Sequence, residues 1–285
     1  LQLVGQGVKV TRMKSKWLIL FIVFGLILTA CGGGSDDAAE VEEVVAEEPA
    51  ETLDAPATTA AAAEPEADPA SICLVLDIGG LGDLSFNDLA YSGYEKAIAD
   101  FGMEGTFLEP DGGGENRGEL LELCAEAGND LIIGNGFLFD ASMNEVAPNY
   151  PDLNFAITDG VAEPANVRGM LFDHAEGSFL AGVAAALKST NNHVGFLGGV
   201  DFPLIHEFEQ GFIAGVQAIN PDIVIEIGYA SVAPDFSGFN DVVKGKEIAL
   251  AQYEAGADVI YHAAGGTGTG MFEAAKEVSE STGTK

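Results

Sequence analysis

From residue 70 onward, short apolar runs alternate with longer stretches of mixed polarity. The runs at 72–77, 131–134, 154–159, 193–200, 223–228 and 258–264 are rich in Val, Ile, Leu, Phe and Ala. Nearly continuous apolar runs of this length read as strands buried on both faces. The stretches at 89–101, 118–127, 177–188, 207–219 and 243–255 carry apolar residues three and four positions apart. Within 118–127, for example, Leu120, Leu121, Cys124 and Ala127 fall at helical spacing. Strands separated by helices of this length predict βαβ units, hence an α/β fold with parallel sheets covered on both faces. About seven strand candidates in roughly 215 residues are more than one small sheet takes. Two Rossmann-like lobes follow, the first at about 70–175 and the second at about 190–285.

In open α/β sheets, ligands bind beyond the carboxyl ends of the strands. Polar and flexible residues gather at those ends here. Asp77 closes the first run, Asp159 closes another, and Gly265, Gly266, Thr267 and Gly268 follow the last. Two lobes presenting such ends to each other form a cleft suited to a small ligand.

Before residue 70 the pattern is different. Met13, Lys14, Ser15 and Lys16 open a basic region, and the twelve residues 17–28, WLILFIVFGLIL, are all apolar or Gly. A bilayer span needs about 20 such residues, whereas a signal-peptide core needs fewer. Leu28-Thr29-Ala30-Cys31 resembles a bacterial lipobox, with Cys31 as the residue lipidated after cleavage. The alternative is an N-terminal membrane anchor helix. Residues 1–12 read as a spurious upstream extension of the leader at 13–30. Residues 35–69 contain twelve Asp or Glu and no Lys or Arg, with recurring Pro. Such a tract cannot offset its ordering entropy and reads, with Cys31, as a disordered acidic spacer over 31–69.

Charge then removes whole classes of partner. The chain has 45 acidic and 12 basic residues and a formal charge of −33. Removing the four basic residues of 1–30 leaves 8 basic against 45 acidic, a net of −37. Nucleic acid is excluded as a partner, because no basic stripe exists to release counterions. Recognition of anionic lipid through a polybasic surface is excluded for the same reason. Cys31, Cys73 and Cys124 make no CxxC spacing and no disulfide framework, and Cys73 and Cys124 read as small buried hydrophobes. The histidines 174, 193, 206 and 262 are scattered, so neither a metal site nor a cofactor is expected. His206 reads as a surface residue at a helix start. Trp17, the single Trp, lies in the leader.

The segment 77–87, DIGGLGDLSFN, is a Gly-rich strand-to-helix loop in which Ser85 can cap the following helix. It lacks the GxGxxG spacing of a dinucleotide fingerprint. In 264–270, AGGTGTG, backbone amides at a helix start could cradle an oxyanion or hydroxyls, but no Walker Lys follows. Gly195, Gly198 and Gly199 read as close-packing glycines. Ser85 and Ser178 sit in no GxSxG elbow. No catalytic constellation emerges, and an enzyme is not expected.

Several motifs in order nonetheless resemble one family. DIGGLGDLSFNDLAYSGYEKA, NFAITDG, EGSFLAGVAAA, VGFLGGVDFPLIHEFEQGFIAGVQAINP and GADVIYHAAGGTGTGMFEAAK, spread over 71–285, resemble the basic membrane proteins, PnrA-like lipoprotein substrate-binding proteins of ABC importers typified by a purine nucleoside receptor. The resemblance implies a type I periplasmic-binding fold whose two lobes are joined by a three-stranded hinge. It implies that Asn87 and Asp159 read a nucleobase edge, chemistry that an amide and a carboxylate can perform. By the same resemblance Asp77 lies at the cleft floor, Phe86 and Phe239 sandwich the base, and Gly265 approaches the ribose. Family members continue beyond the position of Lys285, so the second lobe is expected to be incomplete. The expected partners are a purine nucleoside, an ABC permease and the membrane through a lipid on Cys31, with a monomer facing the extracytoplasmic side of the cell membrane. A sugar-binding protein, a ligand-sensing module for a membrane receptor and a nucleoside-cleaving enzyme are the alternatives.

Overall fold

The computed structural model describes residues 69–283. The predicted leader, Cys31 and most of the acidic tract lie outside the described residues.

The first sheet holds β1 (Ser71–Val75), β2 (Glu104–Leu108), β3 (Leu131–Gly134), β4 (Asn154–Thr158) and β5 (Val167–Met170), in the order β2-β1-β3-β4-β5. Every pairing is parallel. Alternation along β1 feeds two cores. Cys73 and Val75 pack with Leu121 and Cys124 of α2 (Arg117–Glu126) and Met143 of α3 (Asp140–Val146). Ile72, Leu74 and Leu76 pack on the other face with Tyr94 and Ile98 of α1 (Phe86–Phe101).

The second sheet is β7-β6-β8, formed by β6 (His193–Asp201), β7 (Val224–Val232) and β8 (Val259–Ala263), again all parallel. One face of β6 presents Val194 and Phe196 to Ala185 of α4 (His174–Lys188) and to Phe212 and Val216 of α5 (Pro203–Ile219). The other presents Leu197 to Ala249 of α6 (Val242–Ala255) and to Met271 and Ala274 of α7 (Thr267–Thr282). The helix pairs approach to backbone contact: a side chain at Gly211 would strike the carbonyl of Ala175, and one at Gly270 the carbonyl of Val242. Gly195, Gly198 and Gly199 abut Gln252, Tyr229 and Phe239, respectively.

Three expectations are corrected. The edge strands β2 and β5 and the short α3 have no counterpart among the predicted elements. β2 is mostly exposed, so its sequence EGTFL shows no continuous apolar run. Second, α4 packs on the second sheet, so the second half begins near residue 174 rather than 190. Among the described residues the chain passes between the sheets once, at 171–173. Third, Cys73 and Cys124 are joined in a disulfide, with Cα atoms 5.8 Å apart. Their separation of 51 residues hides the pairing in the sequence. Packing α2 across β1 brings the two together in the core.

In the chain-entropy account, closing a loop of that length stabilises the fold by roughly 4 kcal/mol. Replacing both cysteines by Ala is therefore expected to lower the urea-unfolding free energy by a comparable amount. Adding dithiothreitol to the variant should produce no further change.

Candidate functional site

The site is built at the carboxyl ends of β1, β3, β4, β6 and β8. After β1 the chain reaches Asp77 and then a loop in which Gly79, Gly80 and Gly82 take φ of 99°, 57° and 92°, a region open mainly to glycine. Asp83, not Ser85, satisfies the start of α1. Its carboxylate accepts hydrogen bonds from the amides of Ser85 (2.8 Å), Asn87 (2.8 Å) and Asp88 (3.1 Å), while the Ser85 side chain makes no capping bond. A carboxylate here also complements the helix dipole. Asp88 in turn accepts from the amides of Gly82 and Leu84.

Asn87 is buried between these strand ends. Its Oδ1 accepts from the Asp77 amide (3.0 Å) and from Asn135 Nδ2 (3.2 Å), and its own Nδ2 donates to the Ile78 carbonyl (3.2 Å). One side-chain N–H of Asn87 is left for a ligand. Asp77 Oδ1 accepts from the Ile78 amide (2.7 Å) and from Arg117 Nε (2.9 Å) and is paired with Arg117 Nη2. Arg117 lies over the Phe139 ring, 5.6 Å from its centroid. Burial pushes the Asp77 carboxyl above its ordinary pKa, against the opposing pull of Arg117.

Asp159, just after β4, has a φ of 56° although it is not glycine, and its amide donates to the Met170 carbonyl at 2.9 Å. Its carboxylate is buried and lies 3.2 Å from His174 Nε2. Burial raises its pKa, His174 opposes the rise and Glu207 adds to it.

From the second half, Phe239 sits in a single 3-10 turn before α6, and Gly265 follows β8 with a φ of 53°. Thr267, fully buried, ties the two together by donating to the Gly238 carbonyl and accepting from the Asp241 amide, each at 2.7 Å. The amides of Thr267, Gly268 and Thr269 close on the carbonyls of Ala264, Gly265 and Gly266. Those three amides are spent within the turn, which corrects the idea that they cradle an oxyanion. His206, as expected, is partly exposed, 2.7 Å from Asp201.

Asp77, Phe86, Asn87, Asp159, Phe239 and Gly265 all line one cavity of about 370 Å³. Its walls also include Phe137, Phe208, Tyr261 and His262, which the sequence reading missed. Phe137 follows Asn135 and Gly136 at the end of β3, and a strand-end position of that kind was the available signal. Its ring stacks on Phe202 (5.0 Å, 15°) and meets Phe236 and Phe239 edge-on, joining the two halves. Burial holds the His262 imidazole below its ordinary pKa, with Asp83 opposing, and its Nδ1 has no hydrogen-bond partner. Among the described residues no group of three or more His, Cys, Asp or Glu is arranged to hold a metal, and no helix is long and apolar enough to cross a membrane.

The family model for ABC transporter substrate-binding proteins of the PnrA-like (Bmp) type matches residues 71–282. The chain belongs to this family. It is 34% identical over 269 residues to the "CD4+ T-cell-stimulating antigen" of Listeria innocua, covering 92% of this chain and 68% of that one. It is 35% identical to the "ABC transporter nucleoside-binding protein BmpA" of Lactococcus lactis, covering 73% of this chain and 59% of that one. A crystal structure of an ABC transporter solute-binding protein from Aeropyrum pernix K1 superposes with a TM-score of 0.66 at 32% identity, over 75% of this chain and 60% of that one. The fold is thus the type I periplasmic-binding fold, and the Lactococcus and Aeropyrum relatives are named as nucleoside-binding and solute-binding proteins, respectively. The chain spans about three-fifths to two-thirds of their length.

Within this family member, Asp83 holds the cavity-lining loop through three amide hydrogen bonds. Asp83→Ala leaves those donors unpaired and is expected to lower stability by about 2 kcal/mol. Hydrogen exchange should quicken first at residues 83–88.

Proposed function

We propose that this protein binds a purine nucleoside in the cavity between its two halves and delivers it to an ABC permease, tethered outside the cytoplasmic membrane by a lipid on Cys31. The carrying observation is the composition of the cavity wall, which combines Phe86 and Phe239 with the hydrogen-bonding groups of Asn87 and Asp159 in about 370 Å³. Aromatic faces suit a base, where stacking contributes about 1–3 kcal/mol. An amide N–H beside a carboxylate suits the mixed donor and acceptor edge of a purine. The cavity volume falls within the range of about 300–1,000 Å³ typical of small-molecule sites. The nucleoside-binding relative adds support at the level of the family. The lipobox motif at 28–31 supports the tether, and the Cys73–Cys124 disulfide suits an oxidising, extracytoplasmic compartment.

Closure around the ligand follows from hinge physics. A ligand touching both halves stabilises the closed state by its differential affinity for it.

Titration calorimetry of the full-length chain against adenosine, guanosine, inosine, uridine, ribose and glucose tests the reading. Purine nucleosides are expected to bind. Asp159→Ala is expected to weaken that binding by about 1.5–3 kcal/mol, one hydrogen bond to a charged group. Binding of ribose or glucose alone would make this a sugar receptor, and release of free base would make it an enzyme.

A further inference from the structure

Asp159 and His174 meet where the chain crosses from one half of the molecule to the other. Asp159 directly follows β4, and His174 opens α4 immediately after the crossing at 171–173. Asp159 Oδ1 lies 3.2 Å from His174 Nε2, and both side chains are only 9% exposed. That oxygen has no aligned hydrogen bond to any protein group. The contact is therefore one of charge, attractive when the imidazole carries its second proton. The ring is fixed from its other side by stacking on Phe208, with centroids 4.5 Å apart and planes 21° apart. Phe208 itself lines the cavity, as does Asp159. Asp159 also takes a left-handed φ of 56°, a conformation that Asp tolerates better than most non-glycine residues. Imidazole and phenyl ring thus back the carboxylate at the cavity wall.

We infer that His174 is a positioning residue that keeps Asp159 a hydrogen-bond acceptor, so that the cavity prefers ligands presenting a ring N–H over ligands presenting a ring-nitrogen lone pair. The inference rests on the nucleoside reading and names the class within it. Inosine and guanosine carry a hydrogen on N1, whereas N1 of adenosine is a lone-pair acceptor that an ionised carboxylate repels. An ionised carboxylate only accepts; a protonated one also donates and would lose the distinction. The charged groups around Asp159 make it depend on His174. Glu207 on α5 pushes its pKa upward, as burial does, and His174 alone pulls it down. The side chain of Asp140, on α3, comes up against Gly160 beside it. Asp173 adjoins His174 at the start of α4. Asp77 and Asp83 share the cavity wall, where Arg117 is committed to Asp77 and burial disfavours a charged His262.

The test uses the full-length chain in two arms. In the first, without ligand, the Asp159 carboxyl is titrated by carbon-13 NMR, its signal assigned with Asp159→Asn. His174→Gln is expected to raise the Asp159 pKa by about one unit or more, and His174→Lys, which restores a cation, to hold it near the wild-type value. In the second, calorimetry follows inosine, 1-methylinosine and adenosine across pH. Wild type is expected to bind inosine about tenfold or more tightly than 1-methylinosine or adenosine. Inosine affinity falls as acid protonates Asp159, and in His174→Gln that fall is expected at a pH about one unit higher. An Asp159 pKa unmoved by His174→Gln, or equal affinity for inosine and 1-methylinosine, overturns the inference. If none of the three ligands binds wild type while His174→Gln still raises the Asp159 pKa, the role of His174 stands and the nucleoside reading fails.

Discussion

The side-chain amide of Asn87 joins three separate pieces of chain at the carboxyl edge of the first sheet. It accepts from the main chain just after β1, accepts from Asn135 just after β3, and donates to the carbonyl that opens the glycine-rich loop. All of this happens out of water, where an amide left without partners costs about 1–3 kcal/mol. The two strand ends and the first turn of α1 must therefore stay in register with one another. The rest of the cavity wall inherits that register. Asp77 is held by the same amide through its N–H, and Gly136, one residue past Asn135, lets the chain pass close to the Asp77 carboxylate. Phe137 is then directed towards the other half of the molecule.

The second half meets this edge with aromatic rings and a matching polar tie. Phe137 touches Phe202, Phe236 and Phe239, which come from the end of β6 and the segment before α6. Thr267 fixes that segment to the turn after β8. These ring contacts between the halves are apolar, one stacked and two edge-on. The side-chain hydrogen bonds of Asp77, Asp83, Asn87 and Thr267 are each made within one half. Asp159 and His174 are the exception, a buried contact of 3.2 Å placed beside the crossing itself.

The sequence made the interior strands legible. β1, β3, β4 and β6 are each flanked on both sides, and burial on both faces demands nearly continuous apolar residues. Helix C-termini were equally clear: α1 ends at Gly102 and α6 at Gly256, both with positive φ. Helix starts were placed one to four residues late, because first-turn residues such as His174 and Pro203 lie outside the apolar stripe. The edge strands of the first sheet, β2 and β5, escaped notice because neither carries a continuous apolar run, whereas β7 and β8 at the edges of the second sheet do and were found. Motif order carried the family, and with it six residues that the folded chain brings to one cavity.

What pattern alone determined was the class of fold, the family and the strand ends at which chemistry gathers, because burial and backbone conformation constrain residue type locally. What the tertiary structure decided was pairing: Cys73 with Cys124, Asp77 with Arg117, Asp83 with the amides of α1, and Asp159 with His174. Two of these pairs, Cys73 with Cys124 and Asp77 with Arg117, join residues 51 and 40 positions apart, and no residue type by itself announces a partner. Their energy exists only once sheet and helix packing has brought two groups together and removed the water between them.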